Sequence, residues 1–128
     1  MKRSEARQKA LQALFQLDST ELSVEEAIGH VLIGEQTSNA FLEKLVRGTT
    51  EHQAEIDAAL EQKLENWTLS RLPKIERTVL RLAVYELVYD AETPNKVVMN
   101  EAIELCKTFG DEKSSKFVNG VLSKFTEQ

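Results

Sequence analysis

Apolar side chains recur along nearly the whole chain at the three- and four-residue spacing of an α-helix. The last third shows it most plainly. Val98, Ala102, Leu105 and Phe109 form one stripe; Phe117, Val118, Val121, Leu122 and Phe125 form another. They predict helices over about 97–109 and 113–126. Gly110 lies where the first should end, and is expected in the left-handed conformation that glycine enters without a Cβ penalty.

The same spacing runs upstream. Ala6, Ala10, Leu14 and Leu17, with Leu11 and Phe15 at the edge, predict a helix over about 4–18. Ser23-x-x-Glu26 reads as a capping box opening a short second helix that Gly34 ends. A long stretch from near Ser38 to about Glu65 is amphipathic at Phe41, Leu42, Leu45 and Val46, then at Ile56, Leu60 and Leu64. Gly48 is expected to bend or divide it, since glycine weakens a helix interior by about 1 kcal/mol. Residues 66–73 read as a linker, with Pro73 disfavouring helix at Leu72. The segment 74–90 is apolar on almost every face, the pattern of a buried central helix. Its charges (Lys74, Glu76, Arg77, Arg81) gather at the N-terminal end, where it is expected to surface. Thr93-Pro94-Asn95 marks a turn. No strand pattern appears. The expectation is an all-α bundle of about seven helices in two three-helix-like halves, about 1–66 and 73–128, within one domain spanning 1–128.

Length fits one domain. Cys106 is the single cysteine, so no internal disulfide can form. Beside an apolar face, it reads as a buried, inert thiol rather than a reactive one. No apolar run approaches the roughly 20 residues that span a bilayer, and no hydrophobic segment follows the N-terminal charges as in a signal peptide. No membrane association and a cytoplasmic location are expected.

The net charge of −5 argues against nucleic acid until its distribution is considered. Lys2, Arg3, Arg7 and Lys9 oppose only Glu5, a local +3, and Arg71, Lys74, Arg77 and Arg81 oppose only Glu76, again +3. Binding to phosphates depends on the patch that touches them; ordinary solvated clusters are the other reading. Support for catalysis is thin. His30 and His52 have no nearby nucleophile or ligand set, and no phosphate loop, CxxC or HExxH occurs. Glu86, among Leu82, Ala83 and Leu87, reads as a structural acid before a catalytic one. Neither enzyme activity, cofactor nor metal is expected.

Two places suit RNA. At about 100° per residue, Arg3 and Arg7 continue the line of Ala10 and Leu14. Their stems should lie on apolar surface at the end of the bundle with their heads in water; N-terminal fraying is the alternative. In the C-terminal turn, Lys107, Lys113 and Lys116 flank Phe117. Cations hold phosphates while an aromatic stacks an unpaired base, although Phe117 also suits a core position. The Asn119 amide can read a base edge or cap a turn.

Several blocks together resemble one family. They are Arg3-x-x-Ala6-Arg7-x-x-Ala10-Leu11-Gln12-Ala13-Leu14-Phe15, then Phe41, Leu45-Val46-x-Gly48 and Ile56-Asp57, then Trp67-x-Leu69-x-Arg71-Leu72. Ile75-Glu76-Arg77-x-x-Leu80-Arg81-Leu82-Ala83-x-Tyr85-Glu86-Leu87 follows, with Asn100-Glu101 and Phe117-Val118-Asn119-Gly120 in the last two helices. In order and spacing they resemble the NusB family, small helical antitermination factors of bacteria. The resemblance implies binding to a single-stranded RNA element, boxA, in ribosomal RNA leader transcripts. NusE, a small-subunit ribosomal protein, is the implied partner, and the pair helps RNA polymerase resist termination. Lys2, Arg3, Arg7, Lys107, Lys113, Phe117 and Asn119 are the implied RNA contacts; Phe15 and Glu76 would face NusE. Phe15 stands where tyrosine is common, Ser4 and Glu5 where some members carry arginines, and Lys113 where an acid often sits. Some members form homodimers that cover the RNA surface. The alternatives are a protein-interaction bundle without RNA and a NusB-like domain detached from an RNA methyltransferase; with the chain ending at Gln128, the intact enzyme is not expected.

Overall fold

The stretches of helical periodicity become seven helices among the residues that the computed structural model describes, 1–34, 38–90 and 92–126. The order is α1 (Arg3–Ser19), α2 (Val24–Val31), α3 (Ala40–Glu51), α4 (Gln53–Lys63), a single 3-10 turn (Leu69–Arg71), α5 (Lys74–Tyr89), α6 (Asn95–Phe109) and α7 (Glu112–Thr126). No strand occurs among the described residues. The helices sort into two compact units, Met1–Glu51 and His52–Gln128. The division therefore precedes α4 instead of falling in the 66–73 linker, because α4 packs on α5.

In the first unit α1 packs on both α2 and α3. Ala6, Ala10, Leu11, Ala13 and Leu14 are buried, as are Ile28, Leu42, Leu45 and Val46. The short α2 is held at its start by the expected capping box. Ser23 Oγ accepts from the Glu26 N–H at 3.1 Å, and Glu26 accepts from the Ser23 N–H at 3.0 Å. Gly34, at φ +91°, lies in the turn beyond α2.

In the second unit α5, α6 and α7 pack on one another. Val79, Leu80, Leu82, Val98, Leu105, Val118 and Leu122 supply much of the core. Arg81 does not surface with the other charges of α5. Its Nε and Nη2 donate to both carboxylate oxygens of Asp57 at 2.8 and 3.0 Å, tying α5 to α4. Such a two-pronged bond matches the planar guanidinium to the carboxylate. The opposite end of α5 is the more open, with Val88 57% and Tyr89 39% exposed. Glu86 is buried.

Two glycines depart from expectation. Gly48 does not interrupt the long stretch; it is buried inside α3, and the helix breaks at His52. The His52 ring stacks on Tyr89 at 4.0 Å between centroids. Gly110 is not left-handed, having φ −128°. Its value is space, because a Cβ there would lie 3.0 Å from the Cys106 carbonyl oxygen, 3.1 Å from Ser114 Oγ and 3.4 Å from Ile75 Cγ2. Left-handed backbone appears instead at Asn66, φ +64°, in the segment leading to the 3-10 turn. Asparagine is among the few residues that tolerate it.

Candidate RNA interface

The basic end of α1 is built around an aromatic ring. Asn39 Oδ1 accepts from the backbone N–H groups of Phe41 and Leu42, at 2.9 and 3.1 Å, and so caps α3. This places Phe41 in the first turn of α3. The Arg3 guanidinium carbon lies 4.2 Å from the Phe41 ring centroid and that of Arg7 lies 5.0 Å from it. Delocalised, weakly hydrated guanidinium suits such stacking.

The two arginines differ in exposure. Arg3 and Lys2 are exposed, whereas Arg7 is only 2% exposed. The expectation that Arg7 holds its head in water is therefore corrected. Its position on the line of Ala10 and Leu14 carries it into the unit, where it sits against Phe41. Lys9 donates to the Val31 carbonyl at 3.0 Å. Of the four cations in this segment, Lys2 and Arg3 remain exposed. Phe15 is half-buried, farther along α1.

In the second unit the expected residues divide between two concavities along α7. Asp111 Oδ1 accepts from the Ser114 N–H at 2.7 Å and caps the helix. A cleft of about 530 Å³ is lined by Trp67, Ile75, Glu76, Asp111, Lys113 and Phe117, among others. Lys113, Phe117 and Glu76 thus share one site, so the residue expected to face NusE adjoins two expected to face RNA. A smaller concavity of about 210 Å³ brings Lys107, Lys116 and Asn119 together. Lys107 and Glu104 approach at 3.7 Å, both well exposed, which leaves Lys107 close to a solvated cation.

Burial holds the Glu76 carboxyl above its ordinary value of 4.5, and the charge of Asp111 adds to the rise; a hydrogen bond from Ser114 and the charge of Lys113 oppose it. The folded chain therefore retains this proton to higher pH than the unfolded chain. That contribution to stability is full below the ordinary value and declines as pH rises through it to the raised folded value. Glu76→Gln should remove the decline, as checked by denaturant midpoints between about pH 4 and pH 7. Cys106 is buried as expected, with its thiol pushed up to about 12 by burial, then by the charges of Glu76 and Asp111. The +3 cluster at 71–81 is partly engaged within the unit, since Arg81 holds Asp57 and Arg77 donates to the Leu72 carbonyl at 3.3 Å.

Two aromatic residues escaped sequence reasoning as functional candidates. Phe41 has ordinary core spacing, and only the fold reveals the guanidinium groups on its ring. Trp67 lies between the polar Asn66 and Thr68, outside any helical stripe, which is the signal the sequence offers; it is 51% exposed.

Exposed cations beside aromatic rings on an all-α scaffold are the surface chemistry that suits a small helical nucleic-acid-binding protein. The family model described as "NusB family" matches residues 4–127, and the chain belongs to the NusB family. It is 74% identical over 128 residues to the transcription antitermination protein NusB of Lysinibacillus sphaericus, covering all of this chain and 99% of the relative. The protein of that name from Bacillus subtilis is 54% identical over 123 residues, covering 96% and 93%. Both relatives are transcription antitermination proteins. Among solved structures, T. maritima NusB is 35% identical with a TM-score of 0.89, covering 98% of this chain and 90% of that one. A crystal structure of antitermination factors NusB and NusE in complex with dsRNA matches at 34% identity and a TM-score of 0.86, covering 96% and 94%. No helix among the described residues is long and apolar enough to cross a membrane.

Proposed function

We propose that this chain is a transcription antitermination factor that binds single-stranded boxA RNA in ribosomal RNA leader transcripts together with NusE. It acts in the cytoplasm, and its two units serve as one RNA-binding domain. The observation that carries this reading is the exposed Arg3 guanidinium stacked on Phe41, with Lys2 beside it in sequence. A preorganised cation loses little freedom on meeting a phosphate. In the second unit Lys107 and Lys113 hold phosphates, Phe117 stacks a base and Asn119 reads a base edge. Arg7 contributes through Phe41 rather than by touching RNA.

The mechanism is conditional assembly. RNA and NusE each add contacts that raise the effective concentration of the other, so joint binding exceeds either alone. Phe15 and Glu76 form part of the NusE-facing surface. Glu76→Lys should weaken NusE binding while leaving the melting temperature near that of the parent; unchanged NusE affinity would refute this placement. The complex then joins RNA polymerase. Terminator read-through in a reconstituted transcription reaction tests the function. Adding this protein with NusE should raise read-through on a template carrying boxA, with no gain on one carrying a scrambled element. Equal read-through on both templates would contradict the proposal.

A further inference from the structure

Trp67 is 51% exposed and meets Phe117 edge to face, with centroids 6.3 Å apart and planes at 73°. In such a pair the ring contributing its edge keeps both faces uncovered by its partner. The two rings stand between the cleft described above and a separate groove of about 310 Å³. Lys63, Lys116 and Lys124 line that groove together with Gly120. Lys124 pairs with Glu65 at 3.3 Å and donates to the Lys63 carbonyl at 3.0 Å. Lys116 is exposed and has no ionic partner among the described residues. Lysines beside an exposed aromatic pair are complementary to a strand whose phosphates run along a groove while its bases turn onto the rings.

Gly120 supplies an independent indication. It lies inside α7, where glycine is less favourable than alanine. No packing requires it, since a Cβ there would meet nothing within 4 Å. What its bare backbone preserves is free space on the groove wall, of the kind used when another backbone approaches closely.

We infer that Trp67 and Phe117 offer two differently oriented stacking faces to successive unpaired bases, and that single-stranded RNA leaves the α6–α7 turn along the Lys63–Lys116–Gly120 groove. The inference rests on the RNA reading proposed above and extends it to Trp67, Lys63, Lys116 and Gly120. The strand contacts both sides of the aromatic pair, with Lys116 adjoining the concavity that holds Lys107 and Asn119.

Trp67 is the single tryptophan of the chain, so its fluorescence reports this site alone. The experiment titrates the full chain, with NusE lacking tryptophan or with its tryptophans replaced, against boxA RNA extended by several unpaired nucleotides at each end. Trp67 emission and the anisotropy of labelled RNA are followed in parallel. Emission should change and saturate with the anisotropy. Trp67→Ala should bind about ten-fold more weakly. Gly120→Leu, which favours the helix while filling the groove, should also weaken binding without lowering the melting temperature. Normal anisotropy with no change in Trp67 emission, or with Trp67→Ala and Gly120→Leu both at parental affinity, would overturn the stacking on these faces while leaving the RNA reading intact. Absence of any boxA-specific anisotropy change would overturn both.

Discussion

Arg7→Ala should destabilise the protein by about 3 kcal/mol, whereas Arg3→Ala should change its stability by no more than about 0.5 kcal/mol. The two arginines are one helical turn apart and touch the same ring, but only Arg7 is buried. Truncating it leaves a cavity the size of a long side chain beneath Phe41 and removes a desolvated cation–π contact. The expected fall in melting temperature is roughly 10 °C. RNA binding should show the reverse emphasis. Arg3→Ala removes one exposed cation and should lower the log–log salt slope by about 0.7, the amount for one phosphate contact on a single strand. A thermal melt and a salt titration on each variant check both halves. Equal stability of the two variants would show that the buried position of Arg7 contributes nothing to folding.

The second large effect is expected at Gly110, where alanine should cost about 2 kcal/mol. Its methyl group would meet the Cys106 carbonyl, which is already fixed by accepting the Gly110 N–H at 2.7 Å. It would also press on Ser114 Oγ, the hydroxyl that bonds Glu76. Backbone cannot rotate aside as a long side chain can, so the α6–α7 turn must shift. The comparison is Gly120→Ala, whose Cβ enters open space and should stabilise α7 by about 0.5–1 kcal/mol. Denaturant unfolding distinguishes them by sign. A neutral Gly110→Ala would show that the turn relaxes at no cost.

Periodicity made the helices legible because each buries a stripe. The Ser23–Glu26 box was legible because both its bonds are local, and so was burial of Cys106 on a strongly apolar face. Where exposure depends on a neighbour distant in sequence, local pattern was insufficient. Arg7 has the same residue type and helix line as Arg3 and touches the same ring, but one turn farther along α1 it is buried while Arg3 stays exposed. Asp57, twenty-four residues before Arg81, draws that arginine away from the charged cluster it was grouped with. Gly110 was correctly placed at a helix end, but its reason lies in Ile75 and Ser114 rather than its own dihedral angles. The C-terminal site residues were grouped by nearness in sequence. Helical geometry places Lys113 with Phe117 in one concavity, Lys116 with Phe117 in a second, and Lys107, Lys116 and Asn119 in a third. Family resemblance contributed what no pattern contains, the RNA and the partner protein proposed for this chain.

The central claim is that this chain recognises boxA RNA jointly with NusE. Fluorescence anisotropy of labelled boxA RNA tests it most directly, measured with and without NusE beside a scrambled RNA of equal length. The account predicts tighter binding to boxA than to the scrambled RNA, strengthened further by NusE. Equal binding to both RNAs, with NusE present and both proteins folded, would contradict it.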